Sequence, residues 1–255
     1  MTPPADDASD FELTVTAIAT DDSGDVATSA STISVTVQGV ADAVTLSVAD
    51  AEGFEDQPIA LDIDAGLVDN DGSESLTVVV TGVPDGATLS AGTDQGGGVW
   101  SLLPSDLDGL TITPAEHDSS DFSLVVTATT TDESGDSATS TATIAVTVQG
   151  VADGPTLSVA DAEGFEDQPI ALDIDAALVD DDGSESLTVV VAGVPDGATL
   201  SAGVDQGGGS WTLSPADLDG LTMTPPADDA SDFELTVTAI ATDDSGDVAT
   251  SASTI

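Results

Sequence analysis

The chain contains no lysine and no arginine, against 49 aspartates and glutamates in 255 residues, so its formal net charge is −49 at pH 7. Without cationic side chains it cannot neutralise phosphate groups, which excludes nucleic-acid binding, binding to anionic membranes and most nucleotide chemistry. Salt bridges that need lysine or arginine are excluded for the same reason. The chain must therefore fold against its own charge repulsion unless dissolved cations neutralise it.

Cysteine is also absent, and the chain has a single histidine. Disulfides, thiolate metal sites and cysteine nucleophiles are therefore excluded. No apolar run approaches the roughly 20 residues of a membrane-spanning helix, and the first residues do not resemble a signal peptide. Hydrophobic residues nevertheless make up 40% of the chain, which is too many for a disordered acidic segment and predicts a folded core.

The sequence repeats with a period of 111 residues. The sequence SVADAEGFEDQP begins at Ser47 and begins again at Ser158, and residues 1–33 recur as residues 223–255. A period of this length corresponds to a whole domain repeated in tandem rather than to the short unit of a solenoid.

Three sections follow from this period and from the order of the predicted strands. Residues 1–39 are predicted to be a partial repeat with only the last two strands, and residues 40–150 a complete β-sandwich. Residues 151–255 are predicted to be a β-sandwich that lacks its final strand. A matching strand is present at residues 34–38, so we expect that two chains could complement each other by strand donation.

Alternating apolar residues predict β-strands within each period. Residues 122–130 and 144–148 alternate with period two, and residues 75–81 form a continuous run that favours a strand covered on both faces. Residues 103–110 could form one helical turn. With aromatic residues at 3%, we expect Phe122 and Trp100 to be the main large side chains of the core. Seven or eight short strands in about 110 residues predict an all-β fold of tandem immunoglobulin-like β-sandwiches, joined end to end by short linkers.

The acidic residues are concentrated in loops that this topology would gather at the ends of successive sandwiches, around the connector at residues 150–155. Two carboxylates about 5 Å apart repel each other by roughly 3 kcal/mol at an effective dielectric constant near 20. Ligand sets made of oxygen atoms, without cysteine and with almost no histidine, favour Ca²⁺. We therefore predict several calcium ions, mainly at the interdomain linkers. The alternative is a diffuse acidic surface with weak counterion binding.

The sequences FEDQP at residues 54–58, DNDG at 69–72, DESG at 132–135 and VADGP at 151–155 resemble the calcium motifs of cadherins in their order and spacing. The whole 111-residue unit is similar to the tandem extender repeats of giant RTX adhesins, which bacteria export by type I secretion. This resemblance implies cadherin-like sandwiches in a secreted, cell-surface adhesin that functions in cell adhesion and biofilms. It also implies a structural role, in which calcium rigidifies the linkers so that the repeats project a distal binding domain.

Loop placement and this resemblance together predict a set of acidic metal ligands. They are Asp42, Glu55, Asp56, Asp69, Asp71, Glu74, Asp118, Asp132, Asp153, Glu166, Asp167, Asp180, Asp182, Glu185 and Asp243. The expected partners are calcium and the neighbouring repeats of the same chain.

Other functions have weaker support in the sequence. Pairs of carboxylates could serve glycoside hydrolysis, but they occur here by chance in large number, so we expect no enzyme and no catalytic residues. His117 is replaced by Asp6 and Asp228 in the other copies, so we expect a surface histidine. Two alternatives stay open, namely an adhesin module that binds carbohydrate or ice, and an acidic surface-layer protein of a halophile.

Overall fold

A computed structural model describes residues 8–69, 72–180 and 182–255. Over these residues the chain is all-β, as predicted, with short 3-10 turns at Pro104–Asp106 and Pro215–Asp217. The first of these turns lies where the sequence predicts a helical turn. No helix among the described residues has both the length and the apolar character that a membrane span requires.

The strands are short, as expected for a chain rich in threonine, valine and alanine with frequent turn sequences. In chain order they are β1 (Phe11–Thr20), β2 (Val26–Val35), β3 (Thr45–Val48), β4 (Ala51–Phe54), β5 (Ile59–Ala60), β6 (Ile63–Gly66), β7 (Glu74–Thr81), β8 (Thr88–Leu89), β9 (Thr93–Gly96), β10 (Val99–Leu102), β11 (Thr111–Thr113), β12 (Phe122–Asp132), β13 (Ser137–Gln149), β14 (Thr156–Val159), β15 (Ile170–Ala171), β16 (Ile174–Ala177), β17 (Glu185–Ala192), β18 (Thr199–Leu200), β19 (Val204–Gly207), β20 (Ser210–Leu213), β21 (Thr222–Thr224), β22 (Thr236–Asp243) and β23 (Val248–Thr254).

Contacts between Cα atoms divide the chain into two compact units. The first unit comprises Met1–Ala51, Ala60–Ile112 and Phe122–Val146. The second comprises Glu52–Ile59, Thr113–Asp121 and Thr147–Ile255. The second unit therefore contains two internal segments and the last residues of the first full sequence repeat, in addition to the whole of the last repeat.

The strands that precede β14 form mainly antiparallel pairs. One sheet has the order β4-β13-β12-β7-β10-β9, a second has the order β5-β11-β8, and β3 pairs with β6. The hairpin β1–β2 forms a separate two-stranded sheet, with a register that runs from Phe11 opposite Val35 to Thr20 opposite Val26. Most side chains of this hairpin are exposed.

The core of the first unit is aliphatic. In β7 the buried residues are Leu76, Val78 and Val80, and they alternate with exposed or half-buried neighbours. The prediction that this strand is covered on both faces is therefore wrong, because only one face of its sheet packs on the core. The largest fully buried side chains of this unit are leucine and isoleucine, whereas Phe122 and Trp100 are only half-buried.

The second unit repeats this architecture. Its larger sheet has the order β19-β20-β17-β22-β23, a smaller sheet has the order β15-β21-β18, and β14 pairs with β16. Both the larger and the smaller sheets supply the buried core, which includes Val189 and Val237 from one and Leu200 and Met223 from the other. Packing of two sheets around a shared apolar core is the sandwich arrangement that the sequence predicts.

Candidate metal centre

Glu55 is the central acidic residue of the second unit. It lies in the loop after β4, where its backbone N–H donates to the carbonyl oxygen of Gln149 over 3.0 Å. The backbone N–H of Val151 donates to Glu55 Oε1 over 2.6 Å, which fixes the carboxylate against the connector. Glu55 is only 1% exposed, and its second oxygen, Oε2, is buried without a hydrogen-bond partner among the described residues. Burial of a carboxylate oxygen without a hydrogen-bond partner costs free energy of desolvation, and a cation bound to this atom would offset that cost.

Two aspartates face this glutamate. One carboxylate oxygen from each of Glu55, Asp180 and Asp182 lies within 4.8 Å of the others. The N–H of Asp182 donates to Asp180 Oδ1 over 2.8 Å. The Ser119 N–H and hydroxyl donate to Asp182 Oδ2 over 3.1 and 2.9 Å. Three carboxylates are thus held together by loops that are far apart in the sequence.

The pKa values in this cluster shift in opposite directions. Burial raises the pKa of Glu55, and the charges of Asp180, Asp56 and Asp182 add to the shift, although the hydrogen bond from Val151 opposes it. Burial also disfavours the charged form of Asp182, but hydrogen bonds from Ser184 and Ser119 outweigh it and lower that pKa to about 2. The cluster therefore contains a firmly ionised aspartate beside a glutamate that is expensive to ionise, an arrangement that a bound cation would relieve.

A second glutamate, the half-buried Glu185, lies in the same unit. The N–H of Asp153 donates to Glu185 Oε1 over 2.6 Å, and Glu185 Oε2 is buried without a partner among the described residues. Burial raises the pKa of Glu185, and the charges of Asp180, Asp153 and Asp243 add to this.

The connector brings this second group near Glu55. A Cβ atom at Gly150 would lie 3.3 Å from Asp243 Oδ2 and 3.6 Å from Glu55 Oε1. Asp243 is buried, and it accepts hydrogen bonds from the hydroxyl of Ser245 and the N–H of Asp247. Seven of the predicted ligands thus occur in one region of the second unit, namely Glu55, Asp56, Asp153, Asp180, Asp182, Glu185 and Asp243.

His117 contributes to a neighbouring cluster, which the sequence reasoning missed. Its Nδ1 lies 2.7 Å from Asp153 Oδ2 and 3.5 Å from Asp56 Oδ2, and its side chain is 24% exposed. Burial disfavours the imidazolium, but the hydrogen bond to Asp153 and the charges of Asp153, Asp56 and Glu116 outweigh it and raise the pKa of His117. The prediction of a surface histidine is wrong, because its loop packs against carboxylates that are distant in sequence.

The first unit contains a group one period earlier that resembles the one around Glu185. The N–H of Asp42 donates to Glu74 Oε1 over 2.6 Å, and Glu74 Oε2 is again buried without a partner among the described residues. Asp69 and Asp132 are buried in the same unit. The hydroxyl of Thr130 donates to the carbonyl oxygen of Asp42 over 2.6 Å, which holds this segment in place.

The remaining predicted ligands are placed differently. Glu166 and Asp167 are exposed, and Asp167 accepts a hydrogen bond from the N–H of Asp228. Asp118 is half-buried and accepts from the N–H of Ser120. Asp71 lies outside the described residues. Ser119, which contacts Asp182, carries no signal by which the sequence alone could have singled it out.

The donor set fits a hard cation. It consists of carboxylate oxygens in several orientations. Two of these oxygens, Glu55 Oε2 and Glu185 Oε2, are buried and have no hydrogen-bond partner among the described residues. Calcium accepts six to eight oxygen ligands in flexible geometry, whereas magnesium demands a regular octahedron and retains water.

Comparison with known proteins yields structural likenesses only. No protein-family model matches the chain, and no curated protein matches it. Among solved structures, repeats EC21–23 of human CDH23 align with 13% identity and a TM-score of 0.45, over 95% of this chain and 73% of that one. Repeats EC22–24 of mouse cadherin-23 align with 15% identity and a TM-score of 0.42, over 99% and 75%.

A bacterial protein is also similar. The structure described as a 1.5-MDa bacterial ice-binding adhesin aligns with 18% identity and a TM-score of 0.33, over 95% of this chain and 72% of that one. The chain spans about half the length of the protocadherin gamma B7 and B2 structures that it also matches.

Proposed function

We propose that this chain is a spacer segment of an extracellular adhesion protein, in which calcium bound at the connector stiffens a row of β-sandwich repeats. The observation that carries the proposal is the buried, unpartnered Oε2 of Glu55 beside Asp180 and Asp182. A calcium ion there would give this oxygen a partner and neutralise carboxylates that otherwise repel each other.

The ligands of such an ion come from segments on both sides of the connector. Glu55 precedes it by almost a hundred residues, whereas Asp180 and Asp182 follow it. When bound, calcium would supply charge neutralisation and a cross-link. The protein would supply the fixed positions of the carboxylates, through the hydrogen bonds from Val151 and Ser119.

The spacer role has support in the near identity of the repeats. Long stretches recur unchanged after 111 residues. A surface that binds one ligand would be needed only once, whereas a spacer gains length from each additional copy. Calcium dependence would also delay stiffening until the chain meets the calcium-rich medium outside the cell. We also propose that the protein is an RTX adhesin exported by a type I system. This part of the proposal is based on the resemblance of the 111-residue unit to the extender repeats of those adhesins.

Two other functions make different predictions. A module that binds carbohydrate or ice would bind its ligand whether or not the connector is rigid. A halophile surface protein would be stabilised by sodium chloride at the same ionic strength as well as by calcium, because general screening acts on all exposed carboxylates. The response to calcium is therefore the property that separates the proposals.

The test is small-angle scattering and thermal unfolding of the full chain in calcium chloride, magnesium chloride and sodium chloride at matched ionic strength. At a calcium concentration about a hundredfold above Kd, we expect the folded state to gain about 2.7 kcal/mol. For a chain of this size that gain corresponds to roughly 5–10 °C in Tm. The maximum dimension should also become better defined with calcium. Equal responses to calcium and to sodium would refute the proposal.

A further inference from the structure

His117 differs from its copies in the type of side chain that it places in a repeated loop. The copies one period away are Asp6 and Asp228. His117 has a φ of 56° and Asp228 a φ of 58°. The N–H of His117 donates to Asp56 Oδ1 over 3.0 Å. The N–H of Asp228 donates to Asp167 Oδ1, the copy of that acceptor, over 3.1 Å. The histidine therefore adds an imidazole to a loop whose backbone is the same without one.

The imidazole forms a histidine cluster with two carboxylates, those of Asp56 and Asp153. Nδ1 lies 2.7 Å from Asp153 Oδ2 and 3.5 Å from Asp56 Oδ2. One ligand atom from each of the three residues lies within 4.8 Å of the others. In a tetrahedral zinc site with metal–ligand distances of about 2.1 Å, neighbouring ligand atoms are about 3.4 Å apart. The distance to Asp56 is close to this value, and the distance to Asp153 must lengthen by about 0.7 Å.

Both carboxylates of the histidine cluster are positioned by contacts that do not involve the oxygen atoms near Nδ1. Asp56 accepts the N–H of His117 through its other oxygen, Oδ1. Asp153 is held through its backbone, because its N–H donates to Glu185 Oε1 over 2.6 Å. The side chains of the three cluster residues are partly exposed, so water can complete the coordination of an ion bound there.

The second ring nitrogen of His117 also has a carboxylate near it. A histidine that binds a metal through one nitrogen almost always donates its other N–H to a carboxylate, a carbonyl oxygen or water, which fixes the ring. Glu116 Oε1 lies 3.7 Å from Nε2, and the Glu116 side chain is 86% exposed. A small rotation of this exposed side chain therefore brings the two atoms within hydrogen-bond distance. The imidazole thus has two carboxylates beside Nδ1 and an outer partner beside Nε2.

The nitrogen atom determines which class of cation the histidine cluster favours. Calcium and magnesium bind through oxygen atoms, whereas imidazole favours zinc and other divalent transition metals. Zinc commonly combines three protein ligands, drawn from histidine and carboxylates, with a water molecule. The candidate calcium cluster consists of Glu55, Asp180 and Asp182, and it shares no residue with the histidine cluster. The two clusters therefore differ both in their ligands and in the class of ion that they suit.

We propose that Nδ1 of His117 and the carboxylates of Asp56 and Asp153 bind a divalent transition-metal ion of the zinc type. Water completes the coordination, and Glu116 accepts the N–H of Nε2. A neutral imidazole and two carboxylates balance the charge of a divalent ion. The site occurs once, because this chain has a single histidine. It does not depend on calcium binding, and it gives one connector a second ion that the copies with aspartate at this position cannot hold in the same way.

NMR spectra of the full chain with isotope-labelled histidine test the site directly, since every imidazole signal comes from His117. Zinc chloride is titrated in mildly alkaline buffer, which favours the neutral imidazole that binds metal. Calcium chloride is kept in excess so that sites made only of oxygen atoms are filled. Zinc should shift the Nδ1 resonance and leave Nε2 protonated. Unchanged imidazole resonances, or coordination through Nε2, would overturn the proposal.

Calorimetric titration with zinc chloride in the same calcium buffer compares matched variants. His117→Asn and Asp56→Asn should each weaken zinc binding at least about tenfold, because each removes a ligand. Asparagine tolerates the left-handed backbone at both positions, where φ is 56° and 57°. Asp167→Asn makes the same change as Asp56→Asn in the loop that lacks an imidazole, and it should bind zinc like the wild type.

Equal zinc affinities in the wild type and all three variants would show diffuse binding to carboxylates and would overturn the proposal. The zinc site and the calcium-dependent spacer can be refuted separately. A chain that binds zinc through His117 but does not respond to calcium would support the zinc site and refute only the spacer mechanism.

Discussion

The buried carboxylate of Glu55 destabilises the folded chain when it is ionised, and it is also the central ligand of the proposed calcium site. Its carboxylate is buried, accepts one hydrogen bond through Oε1 and leaves Oε2 without a partner. Its pKa is raised chiefly by burial, so the ionised form costs free energy at neutral pH. This cost is fully present above the folded-state pKa, decreases as the pH falls from there, and is absent below the unfolded-state pKa, where the group is protonated in both states.

The effect of Glu55→Gln on the free energy of unfolding should therefore have opposite signs in the absence and in the presence of calcium. In a chelator, glutamine removes a buried charge and can donate to Asp180 or Asp182, so we expect a stabilisation of about 1 kcal/mol. In calcium, the variant loses a charged ligand, and we expect its calcium affinity to fall by about tenfold or more.

Chemical denaturation with and without calcium measures both effects. Glu52→Gln is the matched control, because Glu52 is an exposed residue of the preceding strand β4 and the charge change is equal. It should be nearly neutral under both conditions. A Glu55→Gln variant that is destabilised in the chelator would contradict the assignment of an unpartnered charge.

His117 predicts a pH dependence of the same sign, since its pKa is also raised in the folded state. Although burial opposes protonation, its hydrogen bond to Asp153 and the nearby carboxylates raise its pKa above the ordinary 6.5. A raised histidine pKa contributes stability that is fully present below the unfolded pKa and is lost as the pH rises through the folded pKa. In chelator, wild type should exceed His117→Asn in stability at about pH 6, by at most about 1 kcal/mol, and the gap should close in mildly alkaline buffer.

Asparagine is a suitable replacement because His117 has a φ of 56°, a left-handed conformation that asparagine tolerates. Denaturation curves across this pH range give the difference directly. A gap of constant size would show that His117 acts by packing rather than by charge.

At the scale of the element, the turn between β7 and the hairpin that follows depends on one glycine. Gly82 has a φ of 88°, and a Cβ atom there would lie 2.6 Å from the carbonyl oxygen of Ser123 in β12. Gly135 has a φ of 93°, but a Cβ atom there would meet nothing within 4 Å. The two positions therefore share the left-handed backbone and differ in their surroundings.

This difference predicts unequal effects of alanine. Both substitutions should cost about 1–2 kcal/mol for the left-handed backbone. Gly82→Ala should cost roughly 2 kcal/mol more, since the strand backbone must move away. Urea denaturation of the two variants compares them, and equal losses would argue against the close approach of β7 and β12 at this point.

At the scale of the whole molecule, local sequence patterns were sufficient to predict the repeats and the all-β fold, but not which loops meet at the candidate metal site. The period of 111 residues and the alternation in residues 122–130 predict tandem all-β repeats, because both are properties of neighbouring residues. They also place Asp180 and Asp182 in an acidic loop. The burial of Glu55 could not be predicted from its local sequence, since its copy Glu166 has the same neighbouring residues and is exposed. The contacts of His117 likewise depend on which loops meet in three dimensions.

The hairpin β1–β2 has a consequence for the colloidal behaviour of the protein. Among the residues that the structure describes, each of its strands has one edge without a partner strand, and Val15, Ile18, Val26 and Ile33 are exposed on the hairpin. Open edges of this kind are templates for aggregation that other proteins commonly block with lysine, which this chain lacks. Mutual repulsion between negatively charged molecules is then the main protection. A divalent cation that stabilises each folded molecule would weaken this protection, so thermal stability and solubility should move in opposite directions as the cation is added.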